Sequence, residues 1–259
     1  VVLIKILTLD IENSPNTVHR WQLFGNDTTT IHQIVEPSRL MSVAYKWHGQ
    51  DQTYFIVGPH FRDMAENVLP VNTVDGGIKD LFYAMEEADA IVTYNGKKHD
   101  IPRLNSAFIE YGLDVPAPYQ HIDLYQTVKR VFSWPKMSLD YVAQQLLGEG
   151  KVPHEGHMLW VKCMAGDPEA WWTMRTYNIG DTEITERLYD RILPWIPNHP
   201  NVLLYDENPE IKGCPYCGSG RIHRRGERQF ATGVYPRYQC QDCKAWSKGT
   251  KRLYGSTVR

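Results

Sequence analysis

Long apolar runs are missing from the chain: nowhere in its 259 residues does a hydrophobic stretch approach the roughly 18 residues of a membrane-spanning helix, so no membrane partner is expected. The apolar N-terminus has neither a cationic leader nor a small-residue cleavage site, and it alternates as a strand does; no signal peptide is expected. Cysteine is scarce. Of five, four fall in two Cys-x-x-Cys pairs near the C-terminus, which excludes a secreted disulfide framework and points to zinc in a reducing, cytoplasmic compartment. Internal repeats and low-complexity tracts are lacking too, which removes the solenoid and disordered classes. Net charge is nearly absent at −2, but it is unevenly spread. Residues 212–259 hold 11 Lys+Arg against 2 Asp+Glu, and the rest of the chain 17 against 28. An acidic body with a basic C-terminal module suggests a polyanion as the module's partner.

What is present begins with a strand over residues 2–12. Ile4, Ile6 and Thr8 share a face with Asp10 and Glu12, and Leu3, Leu7, Leu9 and Ile11 lie on the other. A strand apolar on both faces is normally buried on both. Two carboxylates at its end repel each other and lose hydration, which is costly unless a cation lies between them. The alternative is that the strand stops at Asp10 and both acids are solvated at a loop mouth.

Residues 14–39 read as a loop, with Trp21, Leu23, Phe24 and Ile31 scattered among polar residues. Strand patterns follow at 40–47 and 53–57, joined by a turn, so that the first three strands form an antiparallel meander. Helical periodicity marks 77–88 and 100–111, the second ending at Gly112, with a short buried strand at 90–94 between them. Another strand is expected at 121–124. Ser138 caps a helix over 139–147 that stops at Gly148, and Asp167-Pro168 opens a long helix closed by Pro194. This succession describes a mixed α/β sheet covered on both faces. The expected domains are a body at 1–195, a linker rich in Pro and Asn at 196–211, and a basic module at 212–259.

Two further acidic sites join the first. Asp100 stands where a buried strand ends in Tyr94-Asn95-Gly96-Lys97-Lys98-His99 and a helix begins; an acid there is also a common helix cap. Tyr177 and Asp181 are four apart, on one face of the long helix. Taken in order, Asp-x-Glu on the first strand, Asn-x-x-x-x-Asp at a strand-to-helix junction and Tyr-x-x-x-Asp on a late helix resemble the DEDD superfamily of 3′–5′ exonucleases. The tyrosine form is that of the proofreading domains of DNA polymerases and of ribonuclease D. Residues 121–125 and 137–148 resemble the segment these domains carry between their second and third motifs, so the likeness covers residues 1–195.

The resemblance implies a ribonuclease H-like fold and a two-metal phosphodiester hydrolysis with Mg²⁺ or Mn²⁺. Hard oxygen ligands suit both ions. By that likeness Asp10 bridges two metals, Glu12 and Asp181 hold the first, Asp100 supports the second, and Tyr177 orients the attacking water. A phenol with an ordinary pKa near 10 is a poor base at neutral pH. His99 departs from the family, where an aromatic Phe often precedes the acid. It either packs beside the site or contacts the terminal nucleotide; Asn95 and Lys97 are further candidate contacts. Asp123 and Asp140 are read as structural acids.

The second motif is Cys214-Pro-Tyr-Cys217 and Cys240-Gln-Asp-Cys243, the spacing of a four-cysteine structural zinc site in a small zinc ribbon. Arg224, Arg225 and Arg228, with other basic residues among Phe230, Tyr235, Tyr238 and Trp246, give the module a nucleic-acid-binding composition. A basic ribbon that only contacts the acidic body is the competing reading. Cys163 is read as a core thiol. The chain is thus expected to be a metal-dependent 3′–5′ exonuclease acting on nucleic acid with a free 3′ end, with DNA preferred by the polymerase likeness. RNA trimming and a non-catalytic adaptor acting through the ribbon are the alternatives. Nothing resembles a polymerase domain, so a proofreading role requires a replication or repair partner. A stand-alone nuclease with a ribbon also suits a phage protein acting in a host cell.

Overall fold

The computed structural model describes residues 4–22, 28–70, 74–208 and 212–255. Val2, Leu3, Leu23 and Phe24, which figured in the sequence reading, and residues 209–211 of the expected linker lie outside them.

Strand β1 (Ile6–Asn13) is the middle of a five-stranded sheet because both its faces are apolar along most of its length. On one side lies β2 (Leu40–Trp47), antiparallel, with Asp10 opposite Ala44, and then β3 (Thr53–Val57), also antiparallel. On the other side are β4 (Ala90–Thr93) and β5 (Gln120–Asp123), both parallel. The order β3-β2-β1-β4-β5 is the expected antiparallel meander extended by parallel strands. Between β1 and β2, where a loop was expected, Thr17–Val18 and Ile34–Glu36 form a short antiparallel ladder.

The odd-numbered face of β1 packs Leu7 and Leu9 against α2 (Ile78–Glu87) and α3 (Asp100–Glu110), through Leu81, Phe82, Met85, Leu104 and Phe108. The even-numbered face is covered by α5 (Leu139–Leu147) and by α7 (Pro168–Ile192), the 25-residue helix that crosses the sheet. Their ends follow their capping residues. Asp167 accepts from the Glu169 and Ala170 amides at 2.9 and 3.0 Å, with Pro168 in the first turn. Ser138 caps α5, and Gly148 closes it at φ 76°, a conformation that favours glycine.

Three short helices were not expected: α1 (Arg62–Val68), α4 (Leu124–Val131) and α6 (Met158–Met164). None exceeds eight residues, about two turns, too few for a 3.6-residue period to stand out. Leu124, expected as the last residue of a strand, instead begins α4, because the Asp123 carboxylate caps it through the Tyr125 amide at 3.0 Å.

Beyond α7 the chain is packed rather than extended. Ile196 and Val202 are buried. His199 stacks between Tyr189 and Tyr216, and the Val202 amide donates to the Pro215 carbonyl at 2.9 Å. A three-stranded antiparallel sheet of β6 (Ile222–Phe230), β7 (Gly233–Cys240) and β8 (Trp246–Lys248) then closes the described chain. Among the described residues, no helix is long and apolar enough to cross a membrane.

Candidate functional site

Asp10 and Glu12 project from the even-numbered face of β1, beneath the middle of α7. Three carboxylates from two elements meet there: oxygens of Asp10, Glu12 and Asp181 lie within 4.8 Å of one another. Each has a separate support. Asn178 donates to Asp10 Oδ2 at 2.8 Å and to the Asp10 carbonyl at 3.2 Å, and its own Oδ1 accepts from the Ser42 hydroxyl at 3.0 Å. Trp160 Nε1 donates to Glu12 at 3.1 Å. Asp181 accepts from the Lys151 ammonium, while its Oδ1 is buried with no hydrogen-bond partner.

Asp100 borders this cluster without joining the three. It is buried at the first position of α3, where His99 occupies the cap and makes no side-chain capping bond. The Asp100 carboxylate accepts from its own backbone amide and from that of Ile11, and its charge is felt by both Asp10 and Glu12. The turn leading to it is tight. A Cβ on Gly96 would lie 2.4 Å from Thr93 Oγ1 and 2.8 Å from Asp100 Oδ2. Asn95 adopts φ 68°, a region its short polar side chain tolerates, and its amide and that of Lys97 donate to Asp123 at 2.9 and 3.2 Å. Asp123 is thus a structural acid. So is Asp140, which accepts from the Lys151 amide at 3.0 Å and fixes the loop after α5.

The electrostatics follow from packing acids together where water reaches Asp10 and Glu12 only in part and Asp181 not at all. Burial, then the charges of Asp181, Glu12 and Asp100, hold Asp10 well above the ordinary carboxylate range. Burial pushes Glu12 up to about 8, with Lys151 pulling down against it and Asp181 adding to it. Burial raises Asp100 to about 6 and raises Asp181 as well, in the latter against the pull of Lys151. Burial alone would lower Lys151, but Asp181, Asp10 and Tyr177 outweigh it and hold the ammonium above the usual lysine range. Tyr177 accepts from Lys151 at 2.9 Å and packs edge-on against His154 at 4.6 Å. Burial and the neighbouring acids raise its phenol further, so it stays protonated at neutral pH.

Such a set fits divalent cations. The donors are hard carboxylate oxygens, Lys151 is the main positive charge set against their mutual repulsion, and a buried Asp181 oxygen is unpartnered. A cleft of about 390 Å³ opens beside Asp10, lined by Tyr94, Asn95, Tyr125, Met137 and Lys151 among others. Asn95 Oδ1 is also buried without a partner. Lys97, Lys98 and His99 are exposed on the turn. Lys151, Trp160 and Asn178 did not emerge from the sequence. Lys151 sits in a coil 30 residues from Asp181, and Trp160 is 148 residues from Glu12, so no local spacing marks either. Only Asn178, next to Tyr177, carried a positional signal.

The second cluster is the four cysteines. Their sulfurs lie within 4.8 Å of one another, with Cys214–Cys243 at 3.6 Å and Cys217–Cys240 at 3.7 Å. A tetrahedron with metal–sulfur bonds of about 2.3 Å has edges of ~3.8 Å, so the set is sized for zinc. The knuckles are shaped for it: the Gly218 amide donates to the Cys214 carbonyl at 2.8 Å, and the Asp242 amide to Cys240 Sγ at 3.4 Å. Cys163 is apart from them, buried in the core, its thiol pushed up to about 12 by burial. Of the ribbon arginines, Arg224 pairs with Glu227 at 3.1 Å, the Arg225 carbonyl accepts from Arg237, and Arg228 lies over the Phe230 ring.

Comparison with known proteins agrees with this fold. The family model described as RNase_H superfamily matches residues 47–193, which include Asp100, Tyr177 and Asp181 but begin after the Asp10 strand. Among solved structures, the family B DNA polymerase of the hyperthermophilic archaeon Pyrobaculum calidifontis is similar, with a TM-score of 0.52 and 18% identity. That similarity covers 74% of this chain and only 25% of the polymerase. No curated protein sequence matches the chain.

Proposed function

The chain belongs to the RNase H superfamily, and from that premise we propose that it is a metal-dependent 3′–5′ exonuclease acting on nucleic acid, DNA in preference to RNA. The observation that carries the reading is the convergence of Asp10, Glu12 and Asp181, with Asp100 alongside, at the mouth of an open cleft. A partly buried acid cluster of this kind has no structural benefit by itself, because its charges destabilise one another.

Asp10, Glu12 and Asp181 would hold one divalent cation, and Asp10 with Asp100 a second. Two such cations, when bound, activate water and stabilise the charge that develops on phosphate during phosphodiester hydrolysis. The chain's own residues do the rest. Asn178 and Trp160 fix the carboxylates of Asp10 and Glu12 in rotamers that face the cluster. The Tyr177 hydroxyl, protonated and aimed at the same recess, orients the nucleophilic water rather than deprotonating it. Asn95 offers its unpartnered carbonyl oxygen to the terminal nucleotide in the cleft, with Lys97 and His99 on the adjoining turn. We assign residues 1–195 to the nuclease body, 196–211 to a connector, and 212–259 to a zinc ribbon that holds the strand.

The test is release of mononucleotides from matched single-stranded DNA and RNA in Mg²⁺ or Mn²⁺, with Asp10→Ala as control. Metal-dependent release that is lost in Asp10→Ala supports the reading, and the faster substrate names the sugar preference. Tight, salt-sensitive binding with no release from either strand would replace it with the adaptor reading.

A further inference from the structure

The ribbon sheet has two unlike faces. Strand register pairs Arg228 with Tyr235, Phe230 with Gly233, Arg237 with Lys248 and Gln239 with Trp246, and paired residues of antiparallel strands point to one side. Val234, Pro236 and Cys240 point to the other and are buried. The outward face therefore gathers three aromatic and three cationic side chains, and its strand residues include no carboxylate. Glu227, opposite Pro236, belongs to the inward set and is paired with Arg224.

These six side chains are already interleaved. The Arg237 guanidinium lies 4.6 Å from the centre of the Trp246 ring; Lys248 Nζ lies 5.1 Å from that of Phe230 and 4.8 Å from that of Tyr235; Arg228 lies 5.5 Å from that of Phe230. Five of them, Arg228, Phe230, Arg237, Trp246 and Lys248, line a cleft of about 410 Å³ together with Ser247. Trp246 is 46% exposed and Phe230 39%, although the sheet buries apolar groups on its opposite side. Open rings held between cations match a ligand with flat apolar surfaces and regularly spaced negative charge. A single strand of nucleic acid has both. In a duplex the base faces are stacked away from such rings, and an acidic peptide would satisfy the cations but leave the rings uncovered.

We propose that this face is a single-strand binding site, in which bases stack on Trp246 and against Phe230 and Tyr235 while Arg228, Arg237 and Lys248 neutralise the intervening phosphates. It deepens the nuclease reading by giving the strand a second point of attachment, and rests on that reading only in taking the same strand as ligand.

The experiment is fluorescence anisotropy of labelled oligothymidylate with the full zinc-loaded chain carrying Asp10→Asn, without added divalent cation. Loss of one stacking ring should weaken binding about tenfold in Trp246→Ala. Arg237→Gln and Lys248→Gln should each flatten the dependence of log K on log salt by about 0.7. A duplex of the same length should bind at least about tenfold more weakly than the single strand, since it offers no free base face. Zinc content checks folding, and Lys248→Gln, exposed at the strand end, serves if Trp246→Ala loses its metal. Unchanged affinity and salt slope in the folded variants would overturn the proposal. So would duplex binding as tight as single-strand binding, or equal competition by polyglutamate. A chain that binds in this way but never cuts removes the nuclease reading alone; one that cuts with binding indifferent to these substitutions removes this proposal alone.

Discussion

Replacing Lys151 by Met removes the one ammonium bonded to Asp181 in the acid cluster and keeps the aliphatic stem. The Lys151 side chain is 29% exposed and that of Asp181 1%, so the pair is largely but not wholly shielded. Breaking a fully buried pair costs about 3–5 kcal/mol; with solvent reaching the lysine, about 2 kcal/mol is expected here. For a chain of this size that lowers Tm by roughly 4–8 °C. The loss should depend on metal. Lys151 and a divalent cation compete for the same Asp181 charge, so the variant binds metal more tightly and its Tm rises more on adding Mg²⁺ than the parent's. It should also depend on pH. Glu12 is raised from 4.5 to about 8, so between those values the folded state holds a proton that the unfolded state lacks, and stability falls as pH rises through that window. Removing Lys151 raises the acids further and steepens that fall. Calorimetry of both chains at pH 5 and pH 8, with and without Mg²⁺, measures all three effects. A Tm drop of equal size with and without metal, or no drop at all, would refute the view that Lys151 neutralises a cation site.

Gly96→Ala drives a Cβ to within 2.8 Å of the Asp100 carboxylate and 2.4 Å of Thr93; it should destabilise the fold by about 1–3 kcal/mol and reduce cleavage with it, as urea denaturation and nucleotide release will show. Tyr177→Phe should lower the rate with the pH–rate profile unmoved, because a hydroxyl that orients water does not titrate; loss of a rise in rate with increasing pH would reassign it as the base. Cys217→Ser should abolish stoichiometric zinc and order in the ribbon, read by thiol titration and proteolysis of the C-terminal segment. Glu186 is desolvated, yet bonds to His48, Lys46 and the Gly49 amide bring its carboxyl down to about 2. Its contribution is present above pH 4.5 and lost as pH falls toward 2, so parent and Glu186→Gln should differ in Tm at pH 6 and converge near pH 2.

The parts of the structure legible in the sequence are those fixed by short-range signals. Ser138 and Gly148 bracket α5, and Asp167-Pro168 opens α7, because caps act within one helical turn. Alternation along β1 placed Asp10 and Glu12 on one face, and the four-residue step from Tyr177 to Asp181 set both on one side of α7. What tertiary contact decides was not legible. Trp160 reaches Glu12 only because α6, seven residues long, docks beside α7. Lys151 reaches Asp181 because Asp140 pins its loop. In the ribbon, the irregular register between Arg224 and Glu227, with Gly226 at φ 81°, turns Arg224 away from the face that carries Arg228. The basic residues that composition groups together therefore divide between two faces.

The most direct measurement is of polarity. One single strand is prepared in three forms, labelled at its 5′ end, labelled at its 3′ end and closed into a circle, and each is incubated with the chain and Mn²⁺. A 3′–5′ exonuclease shortens the 5′-labelled strand into a ladder, releases the 3′ label at once as a mononucleotide, and leaves the circle whole. Cutting of the circle, or a ladder from the 3′-labelled strand, would contradict the account.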